Sequence, residues 1–369
     1  ENPVICALSR LPPEGLEADL TFHFERLAPF LRSLADQGVQ RVGLVGAIAR
    51  PKLDPALFDR ETAALVPALM AALQGGDDGA LRWFIELIES YDFISDNLLE
   101  QRLAEAERAT EAWQHSSFEA RGKLLMALAD QLEQQRQSLA ETITLEMGKL
   151  LPEALGEVDK CAGAARFYAE HAEAMLQDEL IDTPAQRSLV AYQPLGTILA
   201  IMPWNFPLWQ ALRCAIPALM AGNSVLLKHA PNVPRCAMAF EQLFLDAGAE
   251  PGLVSNLMIS VEQSAQVIAD HRVHGVAFTG SEVAGRKIAA LAGQNLKKVV
   301  LEMGGSDPFI VLDDANLDRA LDVAMASRFS NAGQICIAAK RFLVVPSRIQ
   351  EFTERMLERV SLLKTGNPM

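Results

Sequence analysis

Residues 196–229 read GTILAIMPWNFPLWQALRCAIPALMAGNSVLLKH. The opening run, 196–201, is almost wholly apolar and too short for a helix. Two prolines, Pro203 and Pro207, bracket the next few residues, and 208–220 then place apolar side chains at helical spacing. Gly222-Asn223 makes a turn, and residues 224–228 form a second apolar run. A buried-type strand, a helix and another buried-type strand make a βαβ unit, whose strands must run parallel.

The same alternation continues downstream. Short β-type runs are expected at 253–259, 273–279, 298–302 and 308–312, with helices at 234–247, 261–269 and 281–291. Repeated βα units predict an α/β fold with a doubly wound parallel sheet and helices on both faces. Upstream lies a helical segment, with helices expected at 98–113, from Ser116 onward and at 150–176. Ser116 and Glu119 have capping-box spacing, and Leu124, Leu125, Leu128 and Leu132 fall on one helical face. Residues 1–90 read as a small extra αβα fragment. Strands are expected at 4–8 and 38–46, and helices at 22–37, 59–73 and 80–88.

Composition narrows the function. At roughly 150 residues per domain, 369 residues make two or three domains. Half the residues are apolar and 22% are charged, which excludes a mainly disordered chain. The formal net charge is −14, so no basic surplus exists to neutralise nucleic-acid phosphates. No apolar run is long enough to cross a bilayer, and the first residues lack the pattern of a secretory signal. Five scattered cysteines without a CxxC pair argue against a disulfide framework or a metal site, and fit a reducing, cytoplasmic compartment.

Four segments can carry chemistry. Pro203-Trp204-Asn205-Phe206-Pro207 comes directly after a strand, where α/β sheets place ligands; it also reads as a simple turn. Lys228, at the next strand end, can donate to a ribose hydroxyl or a phosphate, or be a solvated lysine. Thr279-Gly280-Ser281 opens a helix that carries Gly285, so its first amides suit a phosphate; an ordinary serine cap is the alternative. Glu302-Met303-Gly304-Gly305 and Gly333-Gln334-Ile335-Cys336 pair a carboxylate with a thiol. That pairing suits covalent catalysis and then hydrolysis, although an isolated cysteine is often an inert core residue.

In this order and spacing, the segments from about residue 95 onward resemble the aldehyde dehydrogenase superfamily. Lys-His-Ala-Pro-Asn-Val-Pro at 228–234 and the run before it are most similar to bacterial succinate-semialdehyde dehydrogenases. The resemblance implies Cys336 as nucleophile, Asn205 as oxyanion donor and Glu302 as general base. It implies NADP or NAD bound by Trp204, Lys228, Gly280, Ser281, Gly285 and Gly304, with no metal. Arg213 and Arg341 match arginines that bind a distal substrate carboxylate, and surface or ion-paired arginines are the alternative. Pro231 stands where many NAD-preferring relatives carry a glutamate, so NADP is expected to be accepted. Ala338 stands where some relatives place a second, disulfide-forming cysteine, so no such switch is expected.

The resemblance divides the chain into 1–90, a helical segment plus cofactor-binding domain at 95–305, and the beginning of a catalytic domain at 306–369. On this reading the rest of that domain, and the strand used for homo-oligomer assembly, lie beyond the sequence, and the chain alone is expected to turn over little. Residues 1–90 resemble a fragment of the N-terminal domain of UDP-2,3-diacylglucosamine pyrophosphatase, through 24–34, 43–51 and 76–82. Asp77 and Asp78 are better read as helix-capping acids than as a metal pair. No Pro/Gly/Ser-rich linker separates the two parts near 89–94, which suggests a fused or chimeric reading frame. Three functions are therefore expected in turn: NAD(P)-dependent oxidation of an aldehyde, succinate semialdehyde to succinate foremost, through a cysteine thioester; a catalytically inactive NAD(P)-binding fragment or chimera; and a UDP-2,3-diacylglucosamine pyrophosphatase-related protein.

Overall fold

The computed structural model describes residues 6–8, 20–22, 27, 30 and 96–369. The chain divides into two compact units, 1–99 with 258–260, and 100–257 with 261–369. In the first, β1 (Cys6–Leu8) pairs in parallel with β2 (Leu20–Phe22). Phe22 therefore ends a strand and does not open a helix. The other elements expected before residue 90 lie outside the described residues.

The helical segment comprises α1 (Asp96–Trp113), α2 (Phe118–Gln134), α3 (Arg136–Met147) and α4 (Leu151–Met175). The cap of α2 is Ser117, which accepts from the Ala120 amide at 3.2 Å. The expected cap, Ser116, instead donates to the Trp113 carbonyl and accepts from Arg121 Nε. Helix α3 is not separable from α2 in the sequence. Its buried Leu139, Ala140, Ile143 and Met147 share one face, after a single non-helical joint at Gln135. A two-stranded antiparallel pair, β3 (Glu179–Leu180) and β4 (Leu189–Val190), comes next.

The central sheet has five parallel strands in the order β7-β6-β5-β8-β9. They are β5 (Thr197–Met202), β6 (Ser224–His229), β7 (Val254–Asn256), β8 (Val273–Gly280) and β9 (Lys298–Met303). Helices α5 (Pro207–Met220), α6 (Pro234–Asp246), α7 (Val261–Ala269) and α8 (Glu282–Gln294) connect them in turn. All six residues of β6 are buried, as a central parallel strand requires. The chain builds outward from β5 to β7, then returns to lay β8 on the other side of β5. Strand order reverses between β5 and β8, and a doubly wound sheet opens its ligand crevice at that point.

The run at 308–312 departs from expectation. It forms β10 (Pro308–Val311), but outside this sheet, paired in parallel with β11 (Arg341–Val344). With α9 (Leu317–Phe329) and α10 (Pro346–Ser361) it has a core of its own: Val311, Leu317, Leu321, Ala324 and Phe352. The main core joins α2, α4, α5 and the sheet through Leu125, Val158, Ala165, Leu212 and Val225.

Candidate active site

Asn205 stands on the loop that leaves β5. Its side-chain Nδ2 donates to the Gln334 carbonyl at 2.8 Å. From the other side, Asn331 Nδ2 donates to the Asn205 carbonyl at 2.8 Å and to the Gln334 carbonyl at 3.2 Å. These bonds fasten the post-β5 loop to the turn that carries Cys336. That turn is tight: Asn331, Ala332 and Gly333 have φ of 52°, 54° and 78°. At Gly333 a Cβ would stand 2.9 Å from the Arg328 carbonyl oxygen, so glycine is required on both counts.

Cys336, three residues on, is half-buried. Lys340 Nζ donates to its carbonyl at 3.2 Å and also to the Gly305 carbonyl. The lysine thereby links the Cys336 turn to the segment 302–305 at the end of β9. Glu302 is exposed there, and Arg213 of α5 lies 3.9 Å from its carboxylate. Arg341 instead donates to the Ser306 carbonyl at 2.8 Å. The structure thus brings the Asn205, Cys336 and Glu302 segments together. It sets Arg213 against Glu302, and Arg341 against the next loop.

Sequence reasoning missed the groups that hold these loops. Glu157 of α4 accepts from the Leu208 and Trp209 amides at 3.0 and 2.9 Å, at the start of α5. Its other oxygen takes Lys149 Nζ, and both side chains are 1% exposed. The same ammonium sits 3.6 Å from the Phe206 ring centre. Burial drives the Glu157 pKa up and the Lys149 pKa down, and their attraction opposes both shifts. Glu146 caps α6 in the same manner, through the Arg235 and Cys236 amides at 2.7 and 3.0 Å. Lys149 and Glu157 flanking the leucine-rich helix start LLPEALG was the signal available. His229 Nε2 donates to the Pro207 carbonyl while Nδ1 accepts from the Ala230 amide, both at 2.8 Å, which fixes the neutral tautomer.

The starts of α5, α6 and α8 differ in what bonds their first amides. Those of α5 and α6 are filled by Glu157 and Glu146. At α8, Ser281 accepts from the Ala284 amide at 3.3 Å, and among the described residues no carboxylate bonds the amides before it. A Cβ on Gly280 would meet the Phe278 ring at 2.5 Å, and one on Gly285 would meet Met303 Sδ at 2.8 Å. Gly285 thus lets α8 lie close against the end of β9, and Gly280 leaves room for the Phe278 ring of its own strand. Lys228 is buried near the end of β6, Trp204 is exposed beside Asn205, and Gly304 has open space around it.

A doubly wound parallel sheet, with a thiol-bearing turn fastened to its switch-point loop, defines the fold class as α/β. The chain belongs to the aldehyde dehydrogenase family, which matches residues 86–369; residues 1–95 match the LpxI N-terminal domain. It is 50% identical over 278 residues to a probable succinate-semialdehyde dehydrogenase [NADP(+)] of Synechocystis, covering 75% of this chain and 61% of that protein. It is 44% identical to the succinate-semialdehyde dehydrogenase [NADP(+)] 1 of Mycobacterium tuberculosis, over 77% and 63% of the two chains. A solved succinic semialdehyde dehydrogenase of Streptococcus pyogenes, in complex with NADP+, aligns with a TM-score of 0.73 at 43% identity, over 74% of this chain and 61% of that one. The chain therefore spans about three fifths of the length of these relatives.

Proposed function

We propose that the chain carries the cofactor-binding and nucleophile-bearing part of an NAD(P)-dependent oxidation of succinate semialdehyde to succinate. The observation that supports this most is the double fastening of the Cys336 turn, to Asn205 through Gln334 and to Gly305 through Lys340. The Cys336 thiolate attacks the aldehyde carbon. One Asn205 N–H is spent on Gln334, which orients the amide, and the second, with the Cys336 backbone N–H, stabilises the oxyanion. NADP or NAD, when bound, supplies the hydride acceptor, held by Lys228, Ser281 and the α8 start, with Trp204, Gly280, Gly285 and Gly304 shaping its bed. Glu302 then activates the water that cleaves the thioester.

Arg213 and Arg341 would select an acid-bearing aldehyde through its distal carboxylate. At Arg213 the substrate would take the place of Glu302, which frees the base. The division at 90/95 and 305/306, a cytoplasmic location and self-assembly of the complete enzyme belong to the same reading.

The test is stopped-flow mixing of the chain with NADP and succinate semialdehyde. A burst of reduced cofactor, absent from Cys336→Ala while cofactor still shifts its melting, supports the proposal. Cofactor binding without a burst from the unaltered chain refutes it for this chain, and leaves a nucleotide-binding protein.

A further inference from the structure

Three side chains outside the proposed chemistry converge on both of its loops. Glu153 and Glu157 lie one turn apart on α4, which sets them on one face of the helix. Glu157 holds the Leu208 and Trp209 amides, directly after the Asn205 loop. Glu153 accepts from the Asn331 amide at 3.0 Å and from the Ser330 hydroxyl at 3.1 Å, directly before the Cys336 turn. Asn331, itself 1% exposed, closes the circuit by donating to the Asn205 carbonyl. Lys149, ahead of α4, anchors Glu157 and lies against Phe206, the residue after Asn205.

We infer that the first two turns of α4 are a positioning rack: Glu153, Glu157 and Asn331 fix the placement of Cys336 relative to the Asn205 amide. The reasoning is geometric. Asn205 and Cys336 sit on separate loops, far apart in sequence, and neither loop belongs to the sheet. Loops of that kind keep their separation only where a rigid element holds both. Here one helix face supplies a carboxylate to each, and the carboxylates accept from backbone amides, so they fix main chain as well as side chains. None of the three residues needs to touch substrate or cofactor. The inference rests on the proposed roles of Cys336 and Asn205, and its test includes a readout that needs neither.

The variants are Glu153→Ala, Glu153→Gln and Asn331→Asp in the full chain. Asn331→Asp keeps the residue shape and the tolerance for positive φ, but loses both side-chain donors. The first readout is the rate at which iodoacetamide alkylates Cys336, monitored on its own peptide by mass spectrometry, at temperatures where melting curves show each variant folded. The second is the split between kcat and KM for succinate semialdehyde. Glu153→Ala and Asn331→Asp should change the alkylation rate severalfold and lower kcat on the order of tenfold to a hundredfold, with KM nearly unchanged. Glu153→Gln, which keeps one acceptor, should recover part of both. The double variant Glu153→Ala/Asn331→Asp should be little worse than either single, because both cut one link. Wild-type alkylation and kcat in folded Glu153→Ala and Asn331→Asp would overturn the rack. A chain that gives no burst would sink the proposed activity alone, since the alkylation rates still decide the positioning.

Discussion

His229 is buried and held neutral by two hydrogen bonds of opposite sense. Burial pushes its pKa from the ordinary 6.5 down to about 4, with Lys228 adding to the shift and the Pro207 bond opposing it. The neutral form is favoured on folding, so its contribution is complete above pH 6.5. It is lost as pH falls toward 4, where the folded state must also take up the proton. A gap of this size is worth about 3 kcal/mol. Urea unfolding of the chain and of His229→Gln should show the wild-type advantage shrinking by about that amount between pH 7 and pH 4. A gap independent of pH would mean the imidazole is not buried neutral. Backbone strain gives a second prediction at this scale. Leu296 sits at φ 54° and is 96% exposed, so the left-handed cost has no packing to offset it. Leu296→Gly should raise stability by about 0.5–1 kcal/mol, read as a higher melting temperature.

At the scale of elements, the parallel strands were legible because their apolar runs are short, dense and bounded by Gly, Pro and Asn. Thr197–Met202 and Ser224–His229 match their expected runs to within a residue at either end. The pairing of β10 was not legible. Its run looks like the others, and only its partner β11, beyond α9, removes it from the sheet. The loops of the site were legible as residue types. Their fastenings were not, because Glu157 lies 51 residues before Leu208, and Glu153 lies 178 residues before Asn331. The turn before Cys336 is the element most open to test. Gly333→Ala would set a Cβ against the Arg328 carbonyl at a φ that alanine adopts poorly. The expected cost is about 1–3 kcal/mol of stability, together with a changed rate of Cys336 alkylation. An unchanged melting temperature and an unchanged rate would show that the turn relaxes freely.

Across the whole second unit, one buried ion pair joins the helical segment to the first helix of the sheet. Lys149 and Glu157 each lose water on folding, and their attraction recovers that cost only while both are present. Removing one partner leaves an uncompensated buried charge, so Lys149→Met or Glu157→Leu alone should cost about 3–5 kcal/mol. Replacing both removes the charges together, so Lys149→Met/Glu157→Leu should cost well under the sum, with a coupling of at least about 1 kcal/mol. Stability and placement then separate. The double variant regains packing between α4 and α5, but the Leu208 and Trp209 amides lose their carboxylate. It should therefore melt above either single variant yet react at Cys336 no more like the wild type than Glu157→Leu does. Denaturation curves and alkylation rates on the four proteins measure both quantities. If stability and Cys336 reactivity return together, the pair only holds the layers in contact. If stability returns and reactivity does not, the Glu157 carboxylate on the Leu208 and Trp209 amides sets where the Asn205 loop stands.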